Sequence, residues 1–101
     1  MKWIKKLYVE DSLAHPEEVV YLLRRHIPVF GLYLIAVERR ERPRIVLWES
    51  RQALRKNSRK LTVAGFAYGK ENAMALLAQI VADLAGKNGL QEPLASQLLR
   101  E

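Results

Sequence analysis

The stretch LTVAGFAYGKENAMALLAQIVADLAG, residues 61–86, passes from a short apolar run holding two glycines straight into a long amphipathic pattern. Residues 61–68 are brief and rich in β-branched and aromatic side chains (Thr62, Val63, Phe66, Tyr68), which suits a strand. Gly65 in its middle has no side chain to pack, so it marks a bulge or a close approach by another segment. Gly69 ends the strand and serves as N-cap of a helix from Lys70, with Glu71 in the first turn where the helix dipole favours an acid. Ala73, Leu77, Ile80, Val81 and Leu84 then draw one apolar stripe, with Gln79 and Asp83 opposite. Gly86 is the expected C′ residue.

The preceding chain supplies three more strands. Residues 3–9 place Trp3, Leu7 and Val9 on one face, and Lys5 and Lys6 suit an edge position. Pro16 at N1, followed by Glu17 and Glu18, opens a helix whose buried stripe is Val19, Leu22, Leu23 and Ile27; Arg24, Arg25 and His26 close it and Pro28 stops it. Residues 31–38 are apolar on both sides of the alternation and read as a central strand. Residues 39–43 form a five-residue loop to a second hairpin arm, residues 44–49. Ser50 is expected to cap a short helix through Lys56, with Asn57 and Ser58 ending it. Beyond the long helix, residues 87–89 form a turn and Pro93 opens a last short helix carrying Leu94 and Leu98.

The order β-α-β-β-(short α)-β-α-α defines one α+β domain over residues 1–101, a mixed or mostly antiparallel four-stranded sheet packed by two main helices. Both large helices are expected on one face. The other face would then be apolar and need covering by the short helices or by a second copy of the protein.

Composition narrows the function. The 101 residues are half apolar, enough for a modest core. There is no cysteine, which excludes disulfide scaffolds, thiol nucleophiles and iron–sulfur clusters and fits a reducing cytoplasm. The longest apolar run, residues 29–37, is about half of the roughly 20 residues a spanning helix needs, so no membrane partner is expected.

Charge is uneven. Residues 39–60 hold nine basic and two acidic residues, a net of +7, which leaves eight basic and nine acidic residues, or −1, for the rest of the chain. Arg39, Arg40, Arg42, Arg51, Arg55, Arg59 and Lys60 are the candidate phosphate contacts of a nucleic-acid or polyanion surface, since arginine's planar fork matches phosphate. Arg51 and Arg55 lie four apart on one helix side, and Arg59 and Lys60 extend them into one surface. The alternative is a protein-interaction or homodimerisation domain, using the second sheet face or the C-terminal helix, whose charges serve solubility.

Other motifs carry less. Gly65 and Gly69 precede Lys70 as in a phosphate loop, but three residues separate them instead of four and Glu71 stands where a hydroxyl is required. What survives is a single-anion site at Gly69 and Lys70. Gly65, Phe66, Ala67 and Tyr68 fit four places of the RNP1 signature, yet Ala64, Gly69 and Glu71 depart from it, so no family is assigned. Tyr33 and Trp48, on neighbouring hairpin strands, are a candidate stacking platform. His15 and His26 stand about 16 Å apart on a continuous helix and cannot share a site. No metal, cofactor or catalytic constellation is present, so a non-enzymatic module is expected.

Overall fold

A computed structural model describes residues 1–55, 58–89 and 92–101. The chain runs β1 (Lys2–Val9), α1 (Pro16–Arg24), β2 (Leu32–Glu38), β3 (Arg44–Glu49), α2 (Ser50–Arg55), a 3-10 turn (Ser58–Lys60), β4 (Leu61–Tyr68), α3 (Lys70–Asn88) and α4 (Leu94–Leu99). The expected end of the short helix at Lys56 and Asn57 lies outside the described residues.

The sheet is mixed, in the order β1-β4-β2-β3. β4 lies parallel to β1 and antiparallel to β2, and β2 is antiparallel to β3. The lysine-bearing first strand is therefore an edge, and the doubly apolar β2 is central, as their patterns indicate. β3 and β4 run parallel with β2 between them, joined by α2 and the 3-10 turn.

The helices divide between the two faces, which corrects the expectation that both large ones share a face. Val19 and Leu23 of α1 and Ala53 of α2 pack with Leu34, Ala36, Val46, Leu61, Val63 and Phe66 on one face. Leu76, Ile80 and Leu84 of α3 and Leu98 of α4 pack with Ile35, Val37, Ala64 and Ala67 on the other. The physical reason is that β2 and β4 carry apolar side chains on both sides of the alternation, so each face needs a layer of its own. Neither face is left bare.

Gly65 sits where two backbones meet. It pairs with Tyr8 in β1 and Ile35 in β2, and both ladders slip next to it. A Cβ at this position would run into the carbonyl oxygen of Tyr8. Both strand-level expectations for this glycine, a bulge and a close approach, hold together.

The helix ends differ from expectation in instructive ways. α1 stops at Arg24, and His26, at φ 60°, closes it in the left-handed region. The His26 amide donates to the Leu23 carbonyl at 3.0 Å and the Ile27 amide to Leu22 at 2.9 Å, the bond pair of a Schellman stop. Ile27 is thereby turned outward and is 45% exposed instead of joining the buried stripe. α3 continues past Gly86 to Asn88, and Gly89 with φ 73° is its terminator. In α3, Leu76 is buried while Leu77 and Val81 are half-buried. The turn into α4 is held by buried Gln97, whose amide donates to the carbonyls of Gly89 (3.2 Å) and Glu92 (2.7 Å) and accepts from Asn88 (3.3 Å).

Two substitutions test these readings with opposite signs. Gly65→Ala is expected to destabilise the fold by about 3 kcal/mol, since the obstacle is main chain and cannot rotate away. His26→Gly is expected to stabilise it by about 1 kcal/mol, by removing the left-handed penalty. Urea midpoints at constant slope read both.

Candidate polyanion-binding surface

The β2–β3 hairpin loop and the 3-10 turn lie some twenty residues apart in sequence, and Arg39 brings them together at one end of the sheet. Its amide donates to the Lys60 carbonyl at 2.7 Å. Its guanidinium donates to the carbonyls of Lys60 (3.4 Å) and Arg59. The main-chain contact follows from the β2–β4 register, in which Glu38 faces Leu61. Arg39 thus positions the surface and commits its Nε and one Nη to doing so. The β1 register places exposed Lys2 opposite Thr62, at the same end.

Two carboxylates sort the remaining arginines. Glu38, whose side chain is 15% exposed, pairs with Arg44 at 2.8 Å and Arg40 at 3.5 Å. Glu49 pairs with Arg51 at 2.9 Å. Because Glu49 stands opposite Tyr33 and Arg44 opposite Glu38, Arg51 belongs to the far end of the strand pair. There its guanidinium stacks 4.5 Å from the ring centre of Phe30, which is 77% exposed. Arg51 and Arg55 do share a side, lining one shallow cleft with Glu49 and Gln52, but Glu49 neutralises the first of them. Arg42, Arg55, Arg59 and Lys60 are exposed and form no ion pair among the described residues.

Glu49 also takes the capping role expected of Ser50. The Arg51 amide donates to Glu49 Oε1 at 2.5 Å and the Gly31 amide to Oε2 at 3.3 Å. Ser50, fully buried, instead bonds both main-chain groups of Val29, accepting from its amide at 2.9 Å and donating to its carbonyl at 2.6 Å. Burial of Glu49 opposes its charge, but the two amides and the Arg51 guanidinium outweigh it and hold the carboxyl below its ordinary 4.5.

The remaining candidates are not assembled. Tyr33 packs against the α3 and α4 layer and Trp48 against the α1 and α2 layer, so they lie on opposite faces and form no platform. The reason is register: Trp48 pairs with Leu34, one residue from Tyr33. At the start of α3 the Gly69 amide is used by the Gly31 carbonyl at 2.9 Å. The adjoining cleft is lined by Glu10 and Asp11, which oppose an anion beside Lys70. His15 contacts Glu17 at 3.6 Å at the α1 start, remote in sequence from His26 at its end. Among the described residues no group of three potential metal ligands occurs, and no helix is long and apolar enough to cross a membrane.

Pairing across the fold creates one cluster that sequence spacing does not announce. Tyr8 Oη donates to Asp83 Oδ2 at 2.5 Å. Lys87 Nζ lies 3.7 Å from Asp83 and 3.9 Å from Glu101, and Lys5 and Lys6 complete a cleft of about 460 Å³. Burial, the Asp83 hydrogen bond and the negative charges of Asp83 and Glu101 push the Tyr8 phenol up to about 12. No protein-family model matches the chain, and no curated protein or solved structure shows significant similarity to it.

A phenol with a raised folded-state pKa stabilises the fold below its unfolded value and loses that contribution as pH rises through the folded one. Tyr8 should therefore ionise at about 12, and stability should decline between the ordinary phenol value of 10.0 and that point. A Tyr8→Phe variant should lose both the late phenolate absorbance and this part of the alkaline decline.

Proposed function

We propose that this protein is a small non-enzymatic module that binds nucleic acid by its phosphates, through Lys2, Arg42, Arg59 and Lys60 at one end of the sheet, with Arg55 of α2, in the cleft beside Glu49, as a further contact. The observation that supports this most is the sorting of charge. Arg39 ties two basic segments together, while the nearby carboxylate Glu38 is occupied by Arg40 and Arg44, so the remaining cations are free to meet an anion. Exposed cations without acid partners are what phosphate contacts require, and each contact releases condensed counterions. The cysteine-free composition suits a cytoplasmic setting for such binding.

A second reading, a protein-interaction or self-association module, draws support from edge strand β3, whose centre is apolar and uncharged.

Salt dependence tests the first reading. With four or five phosphate contacts, the logarithm of affinity for duplex DNA should fall with the logarithm of salt at a slope of about −4, or about −3 on single strands. Replacing Arg42, Arg55, Arg59 and Lys60 together by Gln should bring the slope to about −1, the share left to Lys2, whereas Arg51→Gln should change it little. Fluorescence anisotropy with labelled RNA and DNA measures both, and an unchanged slope in the fourfold variant would reject this surface.

A further inference from the structure

We propose that two copies of this protein join through β3, edge to edge about a two-fold axis at Leu47, so that their sheets continue as one. This deepens the self-association reading and is independent of nucleic-acid binding. It starts from the direction of backbone groups in β2. Bonds from the Arg39 amide to Lys60 and from the Gly69 amide to Gly31 show that Gly31 and Arg39 turn their main chain toward β4. By alternation along an antiparallel strand, Leu34, Ala36 and Glu38 turn theirs toward β3. Their partners Trp48, Val46 and Arg44 point back at β2. The amides and carbonyls of Ile45 and Leu47 and the amide of Glu49 therefore face outward, and among the described residues no turn, loop or cap hydrogen bond engages them.

The two sheet edges differ in how they are protected. β1 carries Lys2, Lys5 and Lys6 and an irregular register between Trp3 and Tyr8, the devices that discourage edge pairing. β3 pairs with β2 without a slip and holds no proline or lysine. Its terminal charges are already engaged, Arg44 by Glu38 and Glu49 by Arg51 and the Gly31 amide.

The occupant that fits is a second copy. Antiparallel pairing about a two-fold axis requires opposed residues to share a face. Placing Leu47 opposite Leu47 of the second copy satisfies this and sets Ile45 opposite Glu49 in both directions, so every outward residue enters a hydrogen-bonded pair. On one face Val46 then meets Trp48 of the second copy. On the other, half-buried Leu94 and Leu99 of α4, which packs beside β3, extend the apolar contact.

Sedimentation across a dilution series should show a dimer that dissociates to monomer. Leu47→Lys and Leu47→Glu, each bringing like charges together on the axis, should be monomeric with native circular dichroism, and an equimolar mixture should restore the dimer. In the wild-type protein, hydrogen exchange at Ile45, Leu47 and Glu49 should be slow in the dimer and fast on dilution, while Val46 stays slow throughout; this holds without any variant. A monomer at every concentration, or a one-to-one complex with an extended peptide in place of a second copy, overturns both the dimer and the self-association reading. A dimer that survives in both charged variants, or one in which these three amides exchange fast, overturns this interface alone.

Discussion

The whole arrangement depends on burying β4 along almost its full length. Residues 61–67 are buried, hydrogen-bonded to β1 on one side and β2 on the other, with helices above and below. A strand so placed cannot leave main-chain groups to water, so every neighbour must supply partners. Gly65 is the point of greatest constraint, because the carbonyl of Tyr8 occupies the space a side chain would need. Both ladders slip there, and the slip is the way a parallel and an antiparallel neighbour are fitted to one strand.

Charge is organised by a second constraint. Glu38 and Glu49, at opposite ends of the β2–β3 pair, are both shielded from water and both tied to arginine. They divide a segment of net charge +7 into cations that hold the structure and cations that remain available. Arg39 bonds carbonyls, Arg40 and Arg44 share one carboxylate, and Arg51 closes the start of α2 with Glu49. Local charge density alone would have treated these side chains as equivalent.

The two proposed interactions use different parts of the sheet. Polyanion contacts gather beyond the strand ends at Arg42, Arg59 and Lys60, whereas self-association uses the length of β3. Arg44 opens β3 but is turned to Glu38. A dimer built on β3 would carry two copies of the basic end on one continuous sheet, and the second copy would raise the effective concentration of phosphate contacts.

Element order and strand character were determined by the sequence itself, because apolar period, Pro16 at a helix start and Gly69 after a strand act over a few residues. The mixed α+β class, the edge position of β1 and the crowding at Gly65 were all legible on those grounds. What only the tertiary structure decided was everything that depends on pairing partners distant in the chain. Helix C-termini shifted because His26 accepted a left-handed conformation within a hydrogen-bonded stop, and Gly89 served where Gly86 was expected. Tyr33 and Trp48 separated because strand register puts consecutive positions on opposite faces. The Tyr8–Asp83 bond joins residues 75 apart and has no local signature. Which arginines stay free was decided by where Glu38 and Glu49 came to rest, since an ion pair requires a distance of a few ångströms that sequence order does not encode.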